Sequence, residues 1–188
     1  MDNQTKILNT AIELFADYGY DAVGVKQIAN SAGVTKPTLY HYFGSKRGLL
    51  DEVLKDNFNK LNQLIKRAAE YNGDLPLTIN KVITTYFDFA KNNKQFYRMQ
   101  LAITFAPPES DSAKAVDQFI KAQYQIIEQL FIQAAKDHGN MKGRHEEYAA
   151  SLLGMINTYI SLALKRNKVL DDELIYKIAH QFMHGIYS

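Results

Sequence analysis

The chain contains no cysteine, which removes disulfides, thiolate metal sites and a cysteine nucleophile. Long hydrophobic runs are missing too. Uninterrupted apolar stretches such as Leu162-Ala163-Leu164 are far too short to span a bilayer, so no membrane partner is expected. The opening segment MDNQTKILNTAIELF lacks the basic-then-apolar order of a secretion signal, and the expected location is cytoplasmic. No strand-like alternation, internal repeat or low-complexity tract is found. A Gly-rich phosphate loop and a nucleophile motif are also lacking, so no catalytic residue and no cofactor are expected. His180 and His184 stand i,i+4, a chelating spacing, but no carboxylate lies close in sequence, and no metal site is expected. Excess charge is scarce as well. A formal net charge of +2 over 188 residues does not by itself point to nucleic acid.

What is present is concentrated in residues 25–46, VKQIANSAGVTKPTLYHYFGSK. Two short apolar-periodic segments flank a turn at Ala32-Gly33-Val34. Gly33 supplies a position where a Cβ would cost energy. Thr35 is a good N-cap for the second segment, and Pro37 falls in its first turn, where a missing N–H loses no bond. Leu39 and Phe43 are spaced i,i+4 and share an inward face. Tyr40 and His41 are then expected to be exposed. So many hydrogen-bonding side chains on so short a helix suit a helix-turn-helix, whose second helix enters the DNA major groove. Between residues 22 and 50 the charged residues are Lys26, Lys36, Lys46 and Arg47, with no Asp or Glu. Three of these cations lie at predicted helix N-termini, which the helix dipole disfavours. DNA phosphate explains such a pattern.

The segment from about Ile7 to Leu50 resembles the DNA-binding domain of TetR-family transcriptional regulators. Ala11, Leu14, Phe15, Gly19, Tyr20, Ile28, Ala29, Ala32-Gly33-Val34, Leu39-Tyr40, Phe43, Lys46 and Leu49-Leu50 carry the resemblance. It departs from the family pattern at Gly24, where Ser or Thr is common, and at Arg47-Gly48. The resemblance implies an all-α fold, with a helix-turn-helix DNA-binding domain over 1–48 and a helical ligand-binding and dimerisation domain over 49–188. It further implies a homodimer on a palindromic operator in double-stranded DNA, most often a repressor released by a small organic effector. The residues it places at DNA are Lys26, Thr35, Lys36, Pro37, Thr38, Tyr40, His41, Tyr42 and Lys46.

The rest of the chain predicts about six further helices, separated by Asn72-Gly73-Asp74, Asn92-Asn93, Pro107-Pro108, His138-Gly139-Asn140 with Gly143, and the break before Asp171. In the first helix Ile7, Ala11, Leu14, Phe15 and Tyr18 form one stripe. The penultimate helix carries no charge from Ala149 to Leu164, so both its sides are expected to be buried. Its small residues Ser151, Gly154, Thr158 and Ser161 share one stripe. With Ile178, Phe182 and Ile186 of the last helix they are the expected dimer interface. Aromatic and flexible residues between these regions either fill a core or, as the resemblance implies, line an apolar pocket. Its expected lining is Phe58, Tyr86, Phe89, Met99, Tyr124, Ile127, Leu152 and Tyr159, with Arg98 as an orienting group. Two classes of function remain: a ligand-responsive DNA-binding regulator, and a helical small-molecule binding protein or enzyme without a DNA role.

Overall fold

The computed structural model describes residues 2–166 and 168–185. Among them there are nine α-helices and no strand. The helices are α1 (Asn3–Tyr18), α2 (Val25–Ser31), α3 (Lys36–Phe43), α4 (Lys46–Ala68), α5 (Leu75–Asn92), α6 (Lys94–Thr104), α7 (Asp111–Ala134), α8 (His145–Arg166) and α9 (Asp172–His184). A single 3₁₀ turn, Gly139–Met141, stands between α7 and α8.

Local chemistry sets most of the boundaries. Asp2 accepts a hydrogen bond from the Thr5 amide and starts α1. The Ser45 hydroxyl accepts from the Gly48 amide at the head of α4. Asp74 accepts from the Leu77 amide at α5, and Asp171 from the Leu174 amide at α9. Each cap satisfies an amide that has no partner within its helix.

The chain packs as two compact units, each discontinuous in sequence. The first comprises residues 1–59 and 93–120, so it holds α1 to α3, the first part of α4, α6 and the start of α7. Ile7, Ala11 and Phe15 of α1, Ile28 of α2, Leu39 of α3 and Leu49, Leu50 and Leu54 of α4 are buried in it. α1 packs along α6. The Phe58 ring stacks on Phe119 at 5.1 Å and meets Phe96 edge-on at 5.4 Å. Tyr18 departs from the sequence expectation. It is 63% exposed, although it lies on the same stripe, as the last residue of α1 before Gly19.

The second unit comprises residues 60–92 and 121–188. α5 packs on α8 and α9 there. Phe131, Tyr148 and Phe182 form an aromatic cluster with ring separations of 5.5 to 6.4 Å.

Candidate nucleic-acid interface

The turn between α2 and α3 is built as its sequence suggests. Gly33 has φ +67°, a conformation that costs an L side chain energy. The Gly33 amide donates to the Asn30 carbonyl, and the Val34 amide to the Ala29 carbonyl at 3.0 Å. The Thr35 hydroxyl accepts from the Thr38 amide, and its oxygen lies 2.8 Å from the Thr38 hydroxyl. Each hydroxyl keeps capacity for another partner, since it offers one donor and two acceptor sites. Lys36 opens α3, and Pro37 follows in its first turn.

α3 divides cleanly by burial. Leu39 is fully buried and Phe43 half-buried, while Tyr40 and Tyr42 stay 46% and 43% exposed. Lys36, Pro37 and His41 are exposed, and Thr38 is half-buried. His41 and Tyr42 rings meet edge-on at 5.5 Å. Lys26 of α2 is also exposed. An eight-residue helix thus anchors itself through one leucine and offers a cation, hydroxyls and an imidazole outward.

The junction to α4 is more constrained than its composition suggests. The Lys46 ammonium sits 4.1 Å above the Tyr20 ring. Burial pulls its pKa below the ordinary lysine value, opposed by the charges of Asp21 and Asp111. Tyr20 is itself buried against Phe15, and that burial raises its hydroxyl pKa, with Asp111 adding to the effect. Arg47 has a structural role. Its Nε donates to Asp51 at 2.8 Å, and its Nη1 donates to the Asp111 carbonyl at 2.9 Å. The acid-free window of the sequence ends at residue 50, one position before the carboxylate that Arg47 takes. A Cβ on Gly48 would collide with the Phe43 carbonyl oxygen, so this junction has no room for a side chain.

Within each unit the expected ligand residues differ in burial. In the first unit Phe58 is covered by two rings, and Met99 is buried. Arg98 needs a correction: its guanidinium lies on the surface and pairs with Asp17 at 3.0 Å instead of facing an apolar chamber. In the second unit Tyr86, Phe89, Ile127 and Leu152 are buried, and Tyr124 is exposed. Tyr159 lies half-buried beneath the Lys168 ammonium. A cleft of about 410 Å³ in the first unit is lined by Thr104, Ala106, Pro108, Lys114, Asp117 and Ile120, among others. A groove of about 550 Å³ in the second unit runs over Leu64, Arg67, Leu77, Lys81 and Thr84. None of the expected ligand residues lines either.

The small-residue stripe of α8 is uncovered. Ser151, Gly154 and Thr158 are exposed and Ser161 is half-buried, so this helix is buried on one side only within the chain. On α9, Phe182 is half-buried, whereas Ile178 is fully buried. Ile178 therefore belongs to the core of the unit and has no surface to offer a second copy. Ile186 lies outside the described residues. The His180 and His184 rings lie 4.6 Å apart at a tilt of 44°, and Tyr176 continues the row 5.8 Å from His180.

A capped, externally polar helix, set by a glycine turn against a partner helix, defines the head as a helix-turn-helix. Residues 7–53 match the family model described as bacterial regulatory proteins, tetR family. It is 34% identical over 98 residues to the HTH-type transcriptional activator FasR of Mycolicibacterium smegmatis, covering 52% of this chain and 45% of that protein. It is 30% identical over 105 residues, 55% of each chain, to IcaR of Staphylococcus aureus, a negative transcriptional regulator of the biofilm operon icaADBC. The chain spans about half the length of the curated relatives it matches. A solved structure of the transcriptional regulator FadR from Bacillus subtilis in complex with stearoyl-CoA shares the fold. Its TM-score is 0.81 at 18% identity, over 97% of this chain and 98% of that one. No helix among the described residues is long and apolar enough to cross a membrane.

Proposed function

We propose that the chain is a ligand-responsive transcriptional regulator, a homodimeric repressor that binds a palindromic operator through α3 and is released by a small organic effector. The observation that carries the reading is the division of α3, with Leu39 buried and Tyr40, His41 and Tyr42 held outward on a capped helix. In this reading Lys36, Thr38, Tyr40, His41 and Tyr42 approach base edges or the groove wall, and Lys26, Thr35, Pro37 and Lys46 the phosphate rim. The DNA-binding part is assigned to residues 1–48 and the ligand-binding and dimerisation part to 49–188.

The uncovered face of α8 supports the dimer. Thr158 donates its hydroxyl to the Gly154 carbonyl, which satisfies its polar group within the helix and leaves a small, weakly polar surface. A two-fold dimer presents two α3 helices to half-sites one helical turn apart, about 34–36 Å.

The effector is assigned to the apolar or amphipathic class, from the aromatic and aliphatic composition of the helices after α3. Relatives whose names or titles concern fatty acid regulation support an acyl compound as the first probe. An effector that binds the DNA-incompetent state better, with coupling of about 1–3 kcal/mol, weakens operator binding roughly 5- to 150-fold.

The test is titration of the full chain with nonspecific duplex DNA from low to moderate salt. A regulator binds with an affinity that falls steeply as salt rises. Binding that is absent at low salt contradicts the reading. A thermal-shift screen of acyl and other amphipathic compounds, followed by operator titration with each hit, tests the effector.

A further inference from the structure

Glu128 of α7 and His145 and Glu146 at the start of α8 bring one ligand atom each to within 4.8 Å of one another in the second unit. The His145 Nε2 lies 3.3 Å from the Glu128 Oε1. Donors bonded to one tetrahedral ion at about 2.0–2.2 Å stand about 3.3–3.6 Å apart, so this pair already has the edge length of a coordination shell. Glu146 is exposed, while Glu128 and His145 are half-buried.

Two further observations separate this cluster from an ordinary ion pair. Among the described residues, neither Glu128 nor Glu146 pairs with a lysine or arginine. The cation next in sequence, Arg144, lies over the Tyr148 ring at 5.3 Å. The helix dipole accounts for Glu146 and Glu147 in the first turn of α8. The sequence did not suggest this set, because Glu128 lies far from His145 along the chain.

We propose that Glu128, His145 and Glu146 form a binding site for a divalent first-row transition ion, with Zn²⁺ the best fit to one imidazole and two carboxylates. Three protein ligands leave a position for water, so the ion is exchangeable. Bound, it fastens α7 to α8. The proposal is independent of the DNA-binding reading.

The test is isothermal titration of the untagged full chain with ZnCl₂, with MgCl₂ as the comparison, and thermal midpoints with and without Zn²⁺. The expected result is one Zn²⁺ per chain, bound at least tenfold more tightly than Mg²⁺, with a raised midpoint. Glu128→Gln and His145→Gln should each weaken Zn²⁺ at least tenfold. Glu146→Gln, an exposed substitution that spares the fold, should weaken it measurably. The pair His180→Ala with His184→Ala should leave it unchanged. No Zn²⁺ binding by the wild type overturns the site. So does binding that survives the Glu128 and His145 substitutions, or that is lost with His180 and His184.

Discussion

Arg98 of α6 donates from Nη1 to Oδ1 of Asp17 in α1 across 3.0 Å, joining the first helix of the head to the helix it packs along. Both side chains are close to half exposed, so solvent screens the pair. A double-mutant cycle with Arg98→Ala and Asp17→Ala should give a coupling of about 0.2–1 kcal/mol that shrinks in high salt. A coupling that is absent at low salt would mean that the pair leaves α1 and α6 unlinked.

Gly48→Ala should destabilise the head. The added Cβ meets the Phe43 carbonyl oxygen, a backbone atom that cannot swing away, so either the α3–α4 junction or the start of α4 must shift. The expected loss is about 1–3 kcal/mol, read as a lower denaturant midpoint. Gly24→Ala, whose Cβ meets nothing within 4 Å, is the control and should cost much less.

Tyr97 is fully buried, and burial pushes its hydroxyl pKa far above the ordinary value. In the unfolded chain this group ionises near pH 10, while the folded chain keeps its proton. Above about pH 10 the unfolded state therefore binds fewer protons, and stability falls as pH rises. Tyr97→Phe should flatten that alkaline decline in urea melts between pH 9 and 11. An equally steep decline in the variant would assign the loss to other groups.

The local rules were the legible ones. Gly33, Thr35, Ser45, Asp74 and Asp171 set turns and caps through neighbours three or four residues away, and each does so in the structure. The exposed face of α3 was legible for the same reason, since Leu39 fixes the helix rotation. Long-range partners were not. Nothing local pairs Arg98 with Asp17, sets the Asp111 carbonyl on Arg47, or brings Glu128 to His145. Periodicity also cannot tell a core position from an interface position on one helix. That is why Ile178 was expected at a dimer surface and lies in the core. The ligand residues are hard to read for a related reason: aromatic residues at helical spacing fill a core as readily as they line a cavity.

Gly154→Leu should separate assembly from folding. Within the chain a Cβ added at this position meets nothing within 4 Å, so the substitution begins in open space. The variant should keep its helical circular dichroism while sedimentation changes from dimer to monomer. A wild-type monomer at micromolar concentration, or a variant that stays dimeric, would place the interface elsewhere or remove it.

The central claim is that α3 reads DNA sequence while the rim beside it holds phosphate. The most direct measurement is selection of bound duplexes from a random library by the wild type, Lys36→Ala, Thr38→Ala and Lys46→Ala, each followed by salt titration on the selected site. Lys36→Ala and Thr38→Ala should relax the base preference at specific positions of a palindrome. Lys46→Ala should keep the preference, weaken binding to all sequences, and lower the slope of log affinity against log salt by about one. An unchanged selected sequence in both Lys36→Ala and Thr38→Ala would contradict the assignment of α3 as the reading helix.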